Sequence, residues 1–329
     1  MVRCIRAALL AASAAAPPPA AAHHGVAGLG AAGLEGPGAP IESATSTTLP
    51  QGRDLFYLKM DHARYQRGTA AADAEADYAR FWMLGLGRGF TPWFSGYVFL
   101  PYHIKLDEPG GFNTRGFADV SVFGQVGFKY DEGFQRVPAN ESLDDLEDWH
   151  FTVFGGATLP TGDANLRDAA GAIDPGKSTG FGKPSFTLGT TATAMGSQRL
   201  TFNVELSYLR FLEYEYDDGS RTRFGDERRF NTALVYRALT VPERKLRLDA
   251  SMELLYLGLG RDRVDGEPEA ATGGKILYAL PGVRLYYDNF SVAVGIKKPI
   301  ATKLNEAELQ QGAEGKEDYR LIVSASVLF

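Results

Sequence analysis

Apolar and mixed positions alternate through the last segment of the chain, residues 319–329. The apolar face consists of Tyr319, Leu321, Val323, Ala325, Val327 and Phe329, and the mixed face of Arg320, Ile322, Ser324, Ser326 and Leu328. A period of two residues predicts a β-strand whose faces meet different surroundings. Aromatic residues at both ends of the apolar face favour a membrane-barrel strand, where they lie at the two lipid–water interfaces. A strand of a soluble β-sandwich would also alternate, so the other segments decide between these folds.

Similar alternating segments, about twelve in all, follow one another after Gly52, separated by turn signals. The predicted strands are roughly Asp54–Gln66, Tyr78–Phe90, Trp93–Leu106, Gly116–Tyr130, Asp148–Leu159, Gly182–Met195, Arg199–Glu213, Arg223–Arg237, Lys245–Gly260, Lys275–Tyr287, Phe290–Ile300 and Asp318–Phe329. Most reach the ~9–11 residues that cross a bilayer on a tilt, whereas sandwich strands are commonly about half as long. The pattern predicts an all-β fold, a single transmembrane antiparallel β-barrel of about 12 strands over residues 53–329.

The connections between the predicted strands alternate between short turns and longer polar loops. In outer-membrane barrels short turns face the periplasm and long loops face outside. Residues 131–147 are long and acidic, yet the strand count places them on the short-turn side. Either this turn is decorated or the count is wrong there. Pro101, Pro160 and Pro299 are predicted at strand ends on the outer rim, because proline cannot donate to a strand ladder.

The first part of the chain divides into two segments before the barrel. Residues 1–22 are predicted to be a secretory signal peptide, with Arg3 and Arg6 before a short apolar run and small residues before His23. Cys4, the one cysteine of the sequence, lies in this segment, so the mature chain would have no disulfide. Residues 23–52 are rich in Gly, Ala, Ser and Thr and show no period. They are predicted to be irregular, lying either in the periplasm or inside the barrel lumen.

Composition narrows the classes of partner. The sequence is 44% hydrophobic and 22% charged, with a net charge of −6. An acidic chain without a basic patch is not expected to bind nucleic acid. Its mean hydropathy of −0.18 fits a barrel, in which only alternate residues meet lipid. No run reaches about 18 apolar residues, so no transmembrane helix is predicted.

Several short motifs resemble a known family. They are Leu100-Pro101-Tyr102, Gly116-Phe117-Ala118-Asp119, Leu159-Pro160-Thr161-Gly162 and Phe224-Gly225-Asp226-Glu227. They resemble bacterial outer-membrane transport proteins that include the "MetA-pathway of phenol degradation" group. The stretch 43–52, shortly after His23-His24-Gly25, resembles members found near metal-handling genes. The resemblance implies a monomeric barrel in the outer membrane of a Gram-negative bacterium, with a transport role and no catalytic residues. The strand ending at Phe329 resembles the one recognised by the barrel-assembly machinery.

Polar residues opposite the apolar faces are candidates to line the lumen and a solute pathway. They are Asp119, Gln125, Asn203, Glu205, Asn231, Arg247, Asp249 and Glu253. A surplus of carboxylates in such a set would favour cations. Alternatively, these groups pair with lumen arginines and simply fill the barrel.

Two histidines offer a possible metal site. Cleavage after Ala22 would place His23 and His24 at a free N-terminus, where an amine and imidazoles can chelate Cu or Ni. The alternative is two exposed polar residues in a flexible leader. No other cofactor is expected.

The sequence therefore predicts an outer-membrane channel or transporter in contact with lipid, passing a small solute through a narrow polar lumen. The solute would be a metal ion, a metal complex or a small aromatic compound. The alternative is a closed structural or ligand-binding barrel. A surface lipid-modifying enzyme is the third option, but no Gly-x-Ser-x-Gly motif is present.

Overall fold

The computed structural model describes residues 36–66, 76–107, 112–139, 141, 146–310 and 316–329. Twelve antiparallel strands form one closed barrel. The strands are β1 (Asp54–Tyr65), β2 (Ala76–Thr91), β3 (Phe94–Asp107), β4 (Thr114–Phe117 and Val120–Tyr130), β5 (Trp149–Leu159), β6 (Ser185–Ser197), β7 (Leu200–Phe211), β8 (Glu227–Val241), β9 (Leu246–Leu259), β10 (Gly274–Tyr287), β11 (Phe290–Leu304) and β12 (Glu317–Leu328). Each strand pairs with its neighbours in sequence, and β1 pairs with β12 to close the sheet. Closure gives each of the twelve described barrel strands a neighbour on both sides, as a barrel in lipid requires.

The two faces of the wall have the polarity that the sequence predicts. On β12, Arg320, Ser324 and Ser326 are buried in the barrel interior. Outward-facing side chains are large and apolar, and Leu188 and Leu206 keep 64% and 50% of their surface exposed. Burying polar groups while exposing leucine would be unfavourable in water but is favourable in lipid. The prediction of a membrane barrel over a soluble sandwich is therefore confirmed.

The connections follow the predicted alternation of short and long. The turns β2–β3, β6–β7, β8–β9 and β10–β11 lie on one rim, called here the short-turn rim. The opposite, long-loop rim carries the longer connections, two of which pair as a small sheet through residues 214–215, 221–223, 263–264 and 267–268. The exceptional connection 131–148 is a decorated turn, in which Phe134–Arg136 pairs with β4, so the strand count is correct.

The wall is interrupted near Pro101. β4 pairs with β3 on both sides of Ala118 and Asp119 but not at these two residues. Pro101 has no N–H to donate; its carbonyl accepts a hydrogen bond from the N–H of Ala118 at 3.4 Å. Pro160 follows β5 as predicted, but Pro101 and Pro299 lie inside strands. For these two the expected strand-end position was wrong, because an interruption or a shift in register accommodates each proline.

The described part of the predicted N-terminal segment, residues 36–50, lies inside the barrel, which is one of the two predicted locations. Gly36 contacts Arg247 near the short-turn rim, Ser43 contacts Glu253 at mid-barrel, and Thr48 returns to the β2–β3 turn. The segment thus rises to mid-barrel and descends again into β1. Its apolar residues pack on the inner wall, with Ile41 fully buried. Gly282 permits this approach, since a Cβ there would lie 2.8 Å from Ile41 Cγ1.

Residues 1–35 lie outside the described part of the chain, and with them the predicted signal peptide, His23 and His24. Among the described residues, no helix has the length and apolar character needed to cross a membrane.

Candidate functional site

Glu253 on β9 is the main anchor of segment 36–50. Its Oε1 accepts hydrogen bonds from the backbone N–H groups of Ile41 and Glu42 at 2.5 and 3.1 Å. Its Oε2 accepts both the N–H and the hydroxyl of Ser43, at 2.9 and 2.6 Å. Four donors therefore converge on one fully buried carboxylate. This arrangement satisfies consecutive backbone groups that have no strand partner.

Other wall residues bind the two limbs of the segment. Glu205 accepts the N–H of Ala44 at 2.8 Å, and Asn203 donates to the Ala44 carbonyl at 2.8 Å. Gln125 donates to the carbonyls of Thr45 and Thr47. These contacts join polar side chains to an irregular backbone, so the wall itself does not depend on the segment for its strand pairing.

The eight predicted lumen residues are all buried. Five of them hydrogen-bond to segment 36–50: Gln125, Asn203, Glu205, Arg247 and Glu253. Two support these five, since Asn231 donates to Glu205 and Asp249 pairs with Arg247. Asp119 instead accepts the N–H groups of Gly162 and Phe181, each at 2.8 Å. That these residues line the path of a solute stays a prediction.

A cavity of about 300 Å³ lies between this segment and the long-loop rim. Aromatic side chains from several strands and loops line it, including Tyr65, Phe81, Phe211, Phe224 and Tyr278. Part of the loop between β5 and β6 also contributes, through residues 175–177 and Phe181. The floor includes Glu42, at the highest point of the N-terminal segment.

Ion pairs line this cavity together with the aromatic side chains. Lys297 pairs with Glu42 at 2.8 Å, Arg229 pairs with Glu227 at 2.5 Å, and Arg320 pairs with Glu317. Deeper on β1, Asp61 forms an ion pair with Lys59, with 3.2 Å between Oδ2 and Nζ, and also faces Arg320. Pairing makes such burial tolerable, because an isolated buried charge is costly.

Most of these cavity residues are not among the lumen residues predicted from the sequence. Lys297 and Arg320 stand at alternate, inward positions of β11 and β12, so the strand period marks them as facing the lumen. Glu42 carries no such signal, since its segment has no period. Only the folded chain brings Glu42 and Lys297 together.

Asp262, beyond the end of β9, borders the cavity from the long-loop side. Burial raises the pKa of this carboxyl above its ordinary value, and the charge of Glu269 adds to the rise. The N–H of Gly225 donates to Asp262 Oδ1 at 2.6 Å and acts in the opposite direction.

No cluster of three or more His, Cys, Asp or Glu that could hold a metal is found in the described part of the chain. His103 lines the cavity and packs edge-on against Phe81, with ring centroids 4.4 Å apart. His150 lies 2.7 Å from Glu141 near the short-turn rim. A copper or nickel site at His23 and His24 remains a prediction.

Solved structures with a similar fold include the COG4313 outer membrane channel from Pseudomonas putida F1, with a TM-score of 0.67. It is 11% identical and covers 88% of this chain and 100% of that chain. The NanC porin is 9% identical, with a TM-score of 0.44, and covers 82% of this chain and 98% of that chain. The NalP autotransporter translocator domain from Neisseria meningitidis is 11% identical, with a TM-score of 0.43, and covers 84% of this chain and 88% of that chain.

At 11% identity, the likeness to the Pseudomonas channel shows a shared β-barrel fold. No protein of curated function matches the sequence at a significant level. A family model matches residues 60–303, which include most of the barrel. The chain belongs to the family described as "Putative MetA-pathway of phenol degradation".

Proposed function

We propose that this protein is an outer-membrane channel for a small solute, with segment 36–50 as its internal gate. The observation that carries the proposal is the position of this segment between the cavity and the short-turn rim. It is held by side chains of the wall rather than by strand pairing. Such hydrogen bonds can exchange for water, so the segment can leave while the twelve strands stay paired.

The cavity supports a small organic solute better than a bare metal ion. Aromatic rings offer apolar contact area, and the neighbouring ion pairs offer polar contacts, as in sites for small molecules. The family's description names phenol degradation, which agrees with a small aromatic compound. A bare metal ion fits this lining less well, because no cluster of metal-ligating side chains is found in the described residues.

The proposal includes the location and assembly of the chain. A cleaved signal peptide would export it, and the strand that ends at Phe329 would be recognised by the assembly machinery of a Gram-negative outer membrane. Because the wall closes within one chain, a monomer is sufficient for a pore. The long-loop rim would face outside and the short-turn rim the periplasm.

Planar-bilayer recording tests the channel. The wild-type barrel should open rarely, because the gate is bound at many points. Glu253→Gln removes a charge that accepts four hydrogen bonds. Weakening charge-assisted hydrogen bonds by about 1.5 kcal/mol would raise the open fraction about tenfold. Ser326→Ala is the matched control, since Ser326 is buried in the same lumen but bonds to Ser291 rather than to the segment.

A closed structural barrel is the second candidate, and the number of wall contacts to the segment favours it. It would be established if Glu253→Gln, shown to be folded by its resistance to SDS at room temperature, produced no conductance steps above wild type. The same result would reject the channel.

A further inference from the structure

Glu42 links the gate to the cavity. It is the one charged residue in positions 36–50 of the sequence. It lies at the top of the segment, where its backbone N–H is held by Glu253, and its side chain faces the cavity. Its Oε1 accepts a hydrogen bond from Lys297 Nζ at 2.8 Å. The gate thus contributes a carboxylate to the cavity lining, and a cation of the wall binds it.

Lys297 depends on this carboxylate. The side chain is buried, with 7% of its surface exposed, and its ammonium lies 4.4 Å from the centre of the Tyr278 ring. Glu42 is its ion-pair partner in the described structure. Withdrawal of the gate would leave a buried ammonium without an anion, which is strongly unfavourable. The ion pair between Lys297 and Glu42 therefore helps to hold the gate closed. When the gate leaves, the Lys297 ammonium loses its carboxylate partner.

The charge balance of the cavity indicates which kind of molecule would bind Lys297 in place of Glu42. Its lining carries five cationic side chains, from Lys105, Lys177, Arg229, Lys297 and Arg320. It carries four carboxylates, from Glu42, Asp262, Glu227 and Glu317. When Glu42 withdraws, the wall keeps a surplus of positive charge. An anion would restore the balance, and the ring of Tyr278 beside Lys297 favours an anion attached to an aromatic group.

We propose that a small aromatic carboxylate is the solute that opens this channel, by taking the place of Glu42 at Lys297. Its carboxylate compensates the ammonium and thereby removes much of the cost of withdrawing the segment. The carboxylate enters from the long-loop rim and binds Lys297. Because the same ammonium holds Glu42, binding of the carboxylate is coupled to release of the gate. Such coupling is reciprocal, so loosening the gate also strengthens binding of the carboxylate. This inference rests on the proposed channel function.

Benzoate and benzamide provide a matched pair of probes, because they have nearly the same shape and differ in charge. Each compound is added to the long-loop side of a planar bilayer that contains the wild-type protein. Benzoate should raise the open fraction at least about fivefold, the lower end of usual allosteric coupling, and benzamide should leave it unchanged. Glu42→Gln should open more often without any solute and should lose most of the response to benzoate.

Lys297→Gln should remove the response to benzoate and weaken its binding at least about tenfold, measured by calorimetry on the full-length protein in detergent. Lys298→Gln is the control, since this neighbouring lysine is exposed and belongs to the outward-facing positions of β11. It should keep the wild-type response.

The outcomes separate the two proposals. Equal effects of benzoate and benzamide, or an unchanged response in Lys297→Gln, would overturn the carboxylate mechanism. If Glu253→Gln conducts while benzoate neither binds nor changes the open fraction, the channel stands and this inference is wrong. Silence of every variant, including Glu253→Gln, would reject both.

Discussion

Ser46 and Thr191 share a hydrogen bond inside the barrel, with their hydroxyl oxygens 2.8 Å apart. Thr191 also bonds to Thr152 on the neighbouring strand, at 2.5 Å. Ser46 belongs to the descending limb of the N-terminal segment, whereas Thr191 belongs to β6. This contact fixes the limb to a wall that remains paired without it, so it offers a direct way to hold the gate shut.

A disulfide at this position should lock the gate. Ser46→Cys with Thr191→Cys places two thiols within bonding reach, and the only natural cysteine, Cys4, lies in the predicted signal peptide. In the background of Glu253→Gln, oxidation should return the open fraction to the wild-type level, and a reductant should raise it again about tenfold. Bilayer recording with and without reductant checks this. The single variant Ser46→Cys should not respond, and conductance that persists in the oxidised pair would show that ions pass elsewhere.

The buried pair of Arg247 and Asp249 should contribute to folding only as a pair. Arg247 donates to both carboxylate oxygens of Asp249, at 2.7 and 2.6 Å, and to the carbonyl of Gly36 at 2.7 Å. Both side chains are 1% exposed. Arg247→Met would leave a buried carboxylate without its cation and should reduce the free energy of unfolding by about 3–5 kcal/mol.

Replacing both partners tests this explanation. Arg247→Met with Asp249→Leu removes both charges and should recover most of the lost stability, because the desolvation penalty disappears with them. Urea unfolding in detergent, followed by tryptophan fluorescence, measures each variant. If the double variant is as unstable as Arg247→Met, the loss of stability comes from lost packing of the arginine side chain and not from the unpaired charge of Asp249.

Strand positions could be predicted from the sequence because one face of each strand meets lipid and the other meets the lumen, which produces an alternating apolar and polar pattern. β9 was expected at Lys245–Gly260 and spans Leu246–Leu259, since its alternate residues meet lipid and lumen. The partners of Glu253 could not be predicted in this way. They are backbone N–H groups about 210 positions away, in a segment without any period.

Asp119 illustrates the same limit within the wall. Its inward position was predicted, but its role depends on a loop whose sequence shows only turn residues. Both of its oxygens bind backbone N–H groups at the two ends of the β5–β6 loop, and the side chain is fully buried. Period alone does not distinguish a side chain that faces an open lumen from one that binds a folded loop.

Asp119→Ala should release the loop between β5 and β6. The N–H groups of Gly162 and Phe181 would lose their acceptor, at a cost of about 1–3 kcal/mol for each group that stays buried. Trypsin cleavage after Lys177 should become at least about tenfold faster, because opening of the loop costs less free energy. Mass spectrometry of timed digests measures the rates.

A carboxylate at the outer end of the same loop is the control. Asp168 accepts the N–H groups of Ala170 and Ala172, each at 2.9 Å, in an exposed turn. Asp168→Ala should change the cleavage rate much less than Asp119→Ala. Equal rates in the two variants would mean that Asp119 does not hold the loop in the lumen.

Asp262 should make the barrel less stable as the pH rises. Its folded-state pKa is raised above the ordinary value of 3.8, mainly by burial. Its contribution to stability is therefore complete below that value and is lost as the pH rises through the folded-state pKa. Asp262→Asn keeps an oxygen for the N–H of Gly225 and should raise the apparent Tm at pH 7. This gain should shrink as the pH is lowered toward 3.8, as measured by circular dichroism in detergent.

Glu267→Gln serves as the control for that measurement, because Glu267 is an exposed carboxylate of the same loop. It should change the Tm little at any pH. A gain from Asp262→Asn that does not depend on pH would show that removal of the charge is not its cause.

If the outer surface contacts lipid, the loss of folding stability caused by an outward-facing charge should depend on how deep in the bilayer the charge lies. Leu234 lies at the middle of β8 and Leu239 near its short-turn end, and both face outward, 41% and 48% exposed. Leu234→Arg should reduce the free energy of unfolding in phospholipid vesicles by about 2–4 kcal/mol, and Leu239→Arg by about 0–1 kcal/mol. The difference arises because an arginine near the interface reaches water, whereas one at the midplane does not. Urea unfolding of the two variants measures it, and equal small costs would contradict a lipid-facing surface at Leu234.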